Sequence, residues 1–390
     1  MAKLIEITGK ALSGEWGTDD ETGCGIPVLR TTNFTNEGIV NYSNVVTRTI
    51  TKKKIAEKYL RQGDIIIEKS GGSDKQPVGR VIYFDGPDST YLFNNFTGLL
   101  RVKDRNVWYP RYVFYSLFFN YRRGGTKAFE NKTTGLHNLK VDDYVSRCEV
   151  RVENIQKQVA ICEQLDRVFD IIRARQQQLQ KLDELVKSRF VEMFGDPVSN
   201  PKAWEMVSLG KRCEIVTGNT PSRAEPENYG EFIEWIKSDN INTPFTFVTK
   251  AQEYLSEAGF KKCRFVEAGS LLMTCIAGSI NCIGNVTVTD RRVAFNQQIN
   301  AIVPEQDEVL YLYWLMLLSK PAIHGTINMA LKGILSKGQL AKLTFPFPPI
   351  ELQEQFAAFV EQTDKSKVAV QKTLDEAQLL FDSLMQKYFG

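Results

Sequence analysis

The stretch LVKSRFVEMFG, Leu185 to Gly195, returns as LFDSLMQKYFG, Leu380 to Gly390, with leucine, serine, phenylalanine and glycine at matching places. Such a match constrains the fold only if the flanking sequence repeats with it. It does. VLRTTN, Val28 to Asn33, matches WIKSDN, Trp235 to Asn240: two apolar residues, a base, two small or polar residues and asparagine. GDIIIEKSGG from Gly63 matches GSLLMTCIAG from Gly269, each a turn glycine, an apolar strand and a small-residue loop. GRV at Gly79 then pairs with GNV at Gly284, LFNNFTGLL from Leu92 with AFNQQINAI from Ala294, and YVFYSLF from Tyr112 with YLYWLML from Tyr311, the last pair reading as helices. The offsets fall in order from 207 through 206, 205, 202 and 199 to 195. A single duplication followed by loop changes leaves that signature, whereas independent coincidences would not keep their order.

Between the repeated segments lie two long stretches without glycine or proline. From Val152 to Phe194 apolar residues recur at spacings of three and four, through Cys162, Leu165, Phe169, Ile172, Leu179, Val186, Phe190 and Met193, interrupted by Gln176 and Asp183. That spacing predicts one amphipathic helix with a narrow seam, stopped by Gly195 and Pro197. Glu351 to Phe389 repeats the pattern, with Leu352, Phe356, Phe359, Thr363, Val370, Leu374, Ala377, Phe381, Leu384 and Tyr388 on the seam. At about 1.5 Å per residue, roughly forty residues make a rod of about 60 Å, longer than one domain needs. Narrow seams suit helices that pair with each other. The expected architecture is therefore α+β: two α/β heads related by duplication, at 1–151 and 196–349, with long helices at 152–195 and 350–390 that pair antiparallel as a coiled coil about a pseudo-two-fold axis.

Composition excludes several classes of function. With 43% hydrophobic and 24% charged residues over 390 positions, the chain can build two or three proper cores. Its first seventeen residues lack the apolar core of a signal peptide, and its longest apolar run, Val309 to Leu318, is about half a membrane span. A cytoplasmic protein without a membrane segment is expected. Seven cysteines without a C-x-x-C pair predict reduced, mostly buried thiols rather than a zinc site or disulfide framework. The two histidines, His137 and His324, stand in unrelated contexts, and Gly71-Gly72-Ser73-Asp74-Lys75 lacks the spacing of a phosphate loop. Asp64, Glu68 and Lys69 resemble a nuclease cluster only until the missing residue between acid and lysine is noticed, and no Asn-Pro-Pro-Tyr motif for methyl transfer is present. No catalytic, cofactor or metal residues are expected in this chain, which reads as a binding protein.

Two similar heads at fixed separation suit a target of repeating geometry. Duplex DNA is one, since equivalent groove faces recur about every 34 Å. Residues 1–150 carry 22 Lys and Arg against 17 Asp and Glu, and residues 196–349 carry 15 against 15. Such weak basicity gives little phosphate-driven affinity by itself, so partner subunits would have to share the grip. Candidate DNA contacts are Lys52, Lys53, Lys54, Lys69, Ser70, Arg80, Arg122 and Arg123 in the first head, and Asn281, Arg291, Arg292 and Gln297 in the second. Each is a base, or a polar residue in a likely-turn sequence able to meet a phosphate or base edge. Candidate helix-pairing residues are Leu165, Phe169, Ile172, Leu179, Val186 and Phe190 on the first helix, and Phe356, Phe359, Val370, Leu374, Phe381 and Leu384 on the second.

Four stretches, GDIIIEKSGGSDKQPVGRV (63–81), LDRVFDIIRARQQQLQKLDELVKSRFVEMFGDP (165–197), AFNQQINAIVP (294–304) and FPFPPIELQEQFAAFVEQ (345–362), carry a family resemblance by their order and spacing. The chain resembles the specificity subunits of type I restriction-modification systems over essentially its whole length. The resemblance implies two target-recognition domains that read the halves of a split double-stranded DNA sequence, and helices that space them. It also implies partners: two methyltransferase subunits, which bring S-adenosylmethionine, and restriction subunits, which bring ATP and Mg. Two departures are expected to matter. VRVENIQKQ lacks the double proline of FPFPPIELQEQ, so the first helix should start more loosely; and the second helix, measured from Asp364, comes out about three residues shorter than the first from Asp166. Two other functions share these features: a specificity subunit whose partner chain both methylates and cleaves, and a coiled-coil adaptor with two protein-binding heads.

Overall fold

The computed structural model describes residues 1–52, 55–74, 76–133, 136–327 and 333–390. It divides into two compact units: Met1–Arg175 with Thr373–Gly390, and Gln176–Lys372. The class is α+β. Each unit holds one head and half of each long helix, so the boundaries fall in mid-helix rather than at helix ends.

In the first unit, one sheet has the strand order Leu12–Ser13, Thr97–Leu100, Ile65–Glu68, Val81–Tyr83. A second has the order Thr18–Asp19, Val46–Thr49, Ile26–Leu29, Leu92–Phe93. Its last two strands run parallel, Val28 beside Leu92 and Leu29 beside Phe93. The second unit repeats the first sheet as Cys213–Thr217, Ile299–Pro304, Leu271–Thr274, Val286–Val288. It also repeats the parallel pair, Trp235 beside Ala294 and Ile236 beside Phe295. The duplication read from sequence is thus a duplication of strand order and register. Ile65, Ile66 and Ile67, and likewise Leu271, Leu272 and Met273, are fully buried; a continuous apolar run is what a strand covered on both faces requires.

One face of each sheet is covered by an apolar helix, Pro110–Arg122 or Val309–Gly325. The long helices pack on these. In the first unit Leu165, Phe169, Ile172, Phe381 and Leu384 are buried in the head's own core, with Leu374 at its margin. Phe169 meets Phe381 and Tyr388 donates to Gln164, so the two segments run antiparallel. In the second unit Val186, Phe190 and Phe356 are fully buried and Phe359 packs at the margin. Phe190 and Phe356 meet edge to face at 5.4 Å and Lys367 pairs with Asp183, again antiparallel. Val370 is buried and Leu179 half-buried, both outside these two cores.

Both departures noted in the sequence are corrected. The helices, Ile155–Phe194 and Ile350–Phe389, are equal at 40 residues. Measuring from Asp364 misaligned them, because the residue one repeat of 195 beyond Asp166 is Glu361. The first helix also starts no more loosely than the second. Asn154 Oδ1 accepts from Lys157 N, a side-chain cap that stands in for proline. The fully buried Gln158 accepts from Tyr109 N and donates to Val107 O and Glu153 O, while Gln353 accepts from Glu308 N and donates to Asp307 and Pro348 O. One glutamine, one repeat apart, clamps each helix to its head.

Four of the seven cysteines are buried, and all are free thiols. Burial pushes Cys213 and Cys275 up to about 12, which keeps them protonated and inert. No helix among the described residues is long and apolar enough to cross a membrane.

Candidate nucleic-acid interface

The parallel strand pair of each head ends in a rim of loops bonded to one another through the main chain. In the first head Asn94 N donates to Leu29 O at 2.9 Å and Glu15 N to Phe93 O at 2.8 Å. Lys69 N and Ser70 N both donate to Phe96 O, at 2.8 and 3.2 Å. The second head repeats each bond: Asn296 N to Ile236 O at 3.0 Å, Asn219 N to Phe295 O at 3.2 Å, and Cys275 N and Ile276 N to Gln298 O at 2.8 and 3.1 Å. The turn after each parallel strand is pinned alike, Arg30 N donating to Asn33 Oδ1 and Lys237 N to Asn240 Oδ1. A Cβ at Gly14 or Gly218 would lie 2.2 Å from a carbonyl oxygen of the neighbouring strand end, so only glycine permits this approach.

The frame is common and the side chains are not. The first rim exposes Asn95, Phe96 and Lys52, and the second exposes Thr220, Gln297 and Asn281. Lys52 and Lys58 each reach Glu15 at 2.6 Å, and Lys69 donates to Ser13 Oγ at 3.0 Å, so three ammonium groups gather on Ser13–Glu15. Burial pulls Lys69 below the usual lysine value, with the charge of Asp142 opposing and that of Lys58 adding. The hydrogen bonds from Lys52 and then Lys58 hold the Glu15 carboxyl below its ordinary 4.5. A depressed carboxylate contributes stability that is present above the unfolded value and lost as pH falls through the folded one. Glu15→Gln should therefore lose less stability than the parent between pH 7 and pH 3, measured as the shift in urea midpoint; equal shifts would show that the two lysines leave Glu15 unperturbed.

Other candidates lie elsewhere. Arg80 makes a two-bond pair with the buried Glu68 and donates to Thr31 O and Phe34 O, bracing the turn behind the rim. Ser70 donates to Asn138. Arg122 pairs with Asp382 on the C-terminal helix at 2.7 Å, and Arg123 lies over Phe119, so both sit at the helix side of the head. Arg291 and Arg292 precede the Val293–Phe295 strand, at the opposite end from Gln297, and are ion-paired to Glu234 and Glu267. Gln297 accepts from Thr220. Lys320 donates to the backbone of Asn281 at 2.7 Å, leaving its exposed side chain outward. Lys53 and Lys54 fall outside the described residues.

Sequence reasoning missed Glu15, Lys58 and Thr220. A signal existed: LSG at Leu12–Gly14 and VTG at Val216–Gly218 are one more repeat, an apolar residue, a hydroxyl and glycine. Among the described residues no cluster of His, Cys, Asp and Glu could hold a metal.

One main-chain frame built twice with different exposed side chains defines a duplicated recognition module. The model of the type I restriction modification DNA specificity domain matches the chain twice, at residues 2–184 and 201–377. The chain belongs to that family, with two specificity domains in one polypeptide.

Individual relatives agree. The chain is 33% identical over 117 residues to the type I restriction enzyme HindI specificity subunit of Haemophilus influenzae, a match that spans 29% of this chain and 24% of that relative. Over 384 residues it is 19% identical to a putative type I restriction enzyme MjaX specificity subunit of Methanocaldococcus jannaschii, covering 93% and 85%. Its fold is similar to the S subunit of a type I system from M. genitalium, with a TM-score of 0.60 at 15% identity over 100% of this chain and 95% of that one. A chain from a study of type I complex assembly and conformational transition gives 0.52 at 16% identity, covering 100% and 96%.

Proposed function

We propose that this chain is the non-catalytic specificity subunit of a cytoplasmic type I restriction-modification complex, with 1–151 and 196–349 as target-recognition domains. Each rim enters one major groove of a split site, Asn95, Lys52 and Lys69 serving the first half and Thr220, Gln297 and Asn281 the second. Polar side chains there can pair with base edges, while lysines meet phosphates and fix register. The long helices space the heads and dock two methyltransferase subunits, through which restriction subunits join. S-adenosylmethionine, ATP and Mg belong to those partners. The observation that carries this proposal is the repeated rim: a shared frame with divergent side chains suits two half-sites of unlike sequence. Unsatisfied polar groups point the same way, since Asn94 Oδ1 and Arg30 Nε at the first rim have no partner within the chain.

The test is to map methylated adenines in cells that carry the neighbouring methyltransferase, with and without this chain. A split motif with a fixed gap, lost on deletion, is the expected result. Replacing residues 196–349 with the same domain of a relative should change one half-site and leave the other. Methylation indifferent to the chain would leave the adaptor function, and a single partner that both methylates and cleaves would place the complex in the related class.

A further inference from the structure

Head 1 carries a second basic surface, apart from the rim. An open cavity of about 650 Å³ lies between Thr8–Leu12, Arg61–Gln62 and Leu99–Arg105. Five cations line it, Lys10, Arg61, Arg101, Lys103 and Arg105, against the carboxylates of Glu57 and Asp88. Arg101 is spent on the buried Asp64. The other four are exposed, and among the described residues none of them forms an ion pair. Arg105 donates only to Gln62 O, and Lys103 only weakly to Ile5 O at 3.4 Å.

The duplication supplies an internal comparison. Leu12 pairs with Leu99, which pairs with Ile66; Val216 pairs with Ala301, which pairs with Leu272. Counting along those strands, Lys10 corresponds to Glu214, Arg61 to Glu267, Lys103 to Glu305 and Arg105 to Asp307. Every one of the four cations becomes a carboxylate. Asp307 is buried beneath Arg212 and Gln353, whereas Glu214, Glu267 and Glu305 are exposed. Those positions alone differ by eight charges between the heads, more than the five by which the two heads differ in net charge. The basicity of head 1 is thus concentrated in this groove.

We propose that the groove binds a run of nucleic-acid phosphates flanking the half-site that head 1 reads, an inference that rests on the DNA function proposed above. The Leu12–Ser13 strand connects groove to rim: Lys10 stands two residues before it and Glu15, with Lys52 and Lys58, two residues after. Five residues extend at most about 17 Å, roughly five base pairs at about 3.4 Å each, so one backbone can pass from one cluster to the other. Head 1 grips the duplex beyond its bases, and head 2, acidic at the same place, does not.

The test uses the chain assembled with its methyltransferase subunits and measures DNA affinity against salt for target and non-target duplexes. Changing Lys10, Arg61, Lys103 and Arg105 together to glutamine should lower the slope of log affinity against log salt by about 3 to 4, near 0.9 for each phosphate released. Target and non-target should weaken alike, because phosphates carry no sequence, and Glu214→Gln with Glu267→Gln and Glu305→Gln should not lower the slope. An unchanged slope in the four-fold variant overturns the proposal while the DNA function stands. An unchanged slope with lost self-association in sedimentation would assign the groove to the acidic face of a second copy instead. A parent complex with no salt-dependent DNA binding would overturn the DNA function itself.

Discussion

Phe190→Ala is expected to destabilise the Gln176–Lys372 unit by about 3–5 kcal/mol, the cost of emptying a well-packed aromatic site. Phe190 has no exposed surface, and its ring stacks on Tyr311 at 5.5 Å while meeting Phe194 at 5.0 Å and Phe356 at 5.4 Å. These rings come from both long helices and from the helix Val309–Gly325. Removing the phenyl group thus loosens the head's covering helix and the helix pair together. Leu185→Ala, five residues earlier on the same helix, removes a side chain on a residue that is 49% exposed and should change stability by less than about 0.5 kcal/mol. Urea titration of both variants decides the matter; a loss below about 1 kcal/mol at Phe190 would mean that the aromatic cluster repacks around the cavity.

A seven-residue insertion in both long helices should lengthen the preferred gap between half-sites by about three base pairs and leave the half-sites themselves unchanged. Seven helical residues add about 10.5 Å, and base pairs stack at about 3.4 Å. The places to insert are after Arg175 and after Lys372, where the compact units divide. Phe169 with Phe381 on one side, and Asp183 with Lys367 on the other, then keep their partners. Methylation mapping reads the result directly. A gap that does not move would remove the spacer role from the helices, and half-sites that change would show that the heads do not read independently.

Much of this architecture was legible because apolar residues announce it. Ile65–Ile67 and Leu271–Met273 are unbroken apolar runs, and the helix seams recur at three and four, so strands, helices and duplication follow from side-chain chemistry. The rim was not legible, since its bonds are carbonyl to amide and leave no mark on residue type. Charge misled where it was read in isolation. Arg80 and Arg122 looked available, yet Glu68 and Asp382, remote in sequence, occupy them. Aspartates also misaligned the helices, where the buried Gln158 and Gln353 would have aligned them at once. The groove escaped notice because Lys10, Arg61, Lys103 and Arg105 are scattered singly, and only strand register gathers them.

The rim has a consequence for how such a chain can change over generations. Its scaffold is held by peptide groups and by glycine at positions 14 and 218. Asn95, Phe96, Thr220 and Gln297 contribute their side chains outward and their backbones inward. Mutation at these places alters what is presented without disturbing what presents it. A lineage can therefore drift from one target to another through folded intermediates, each half at its own pace, with no step at which the protein must first become unstable.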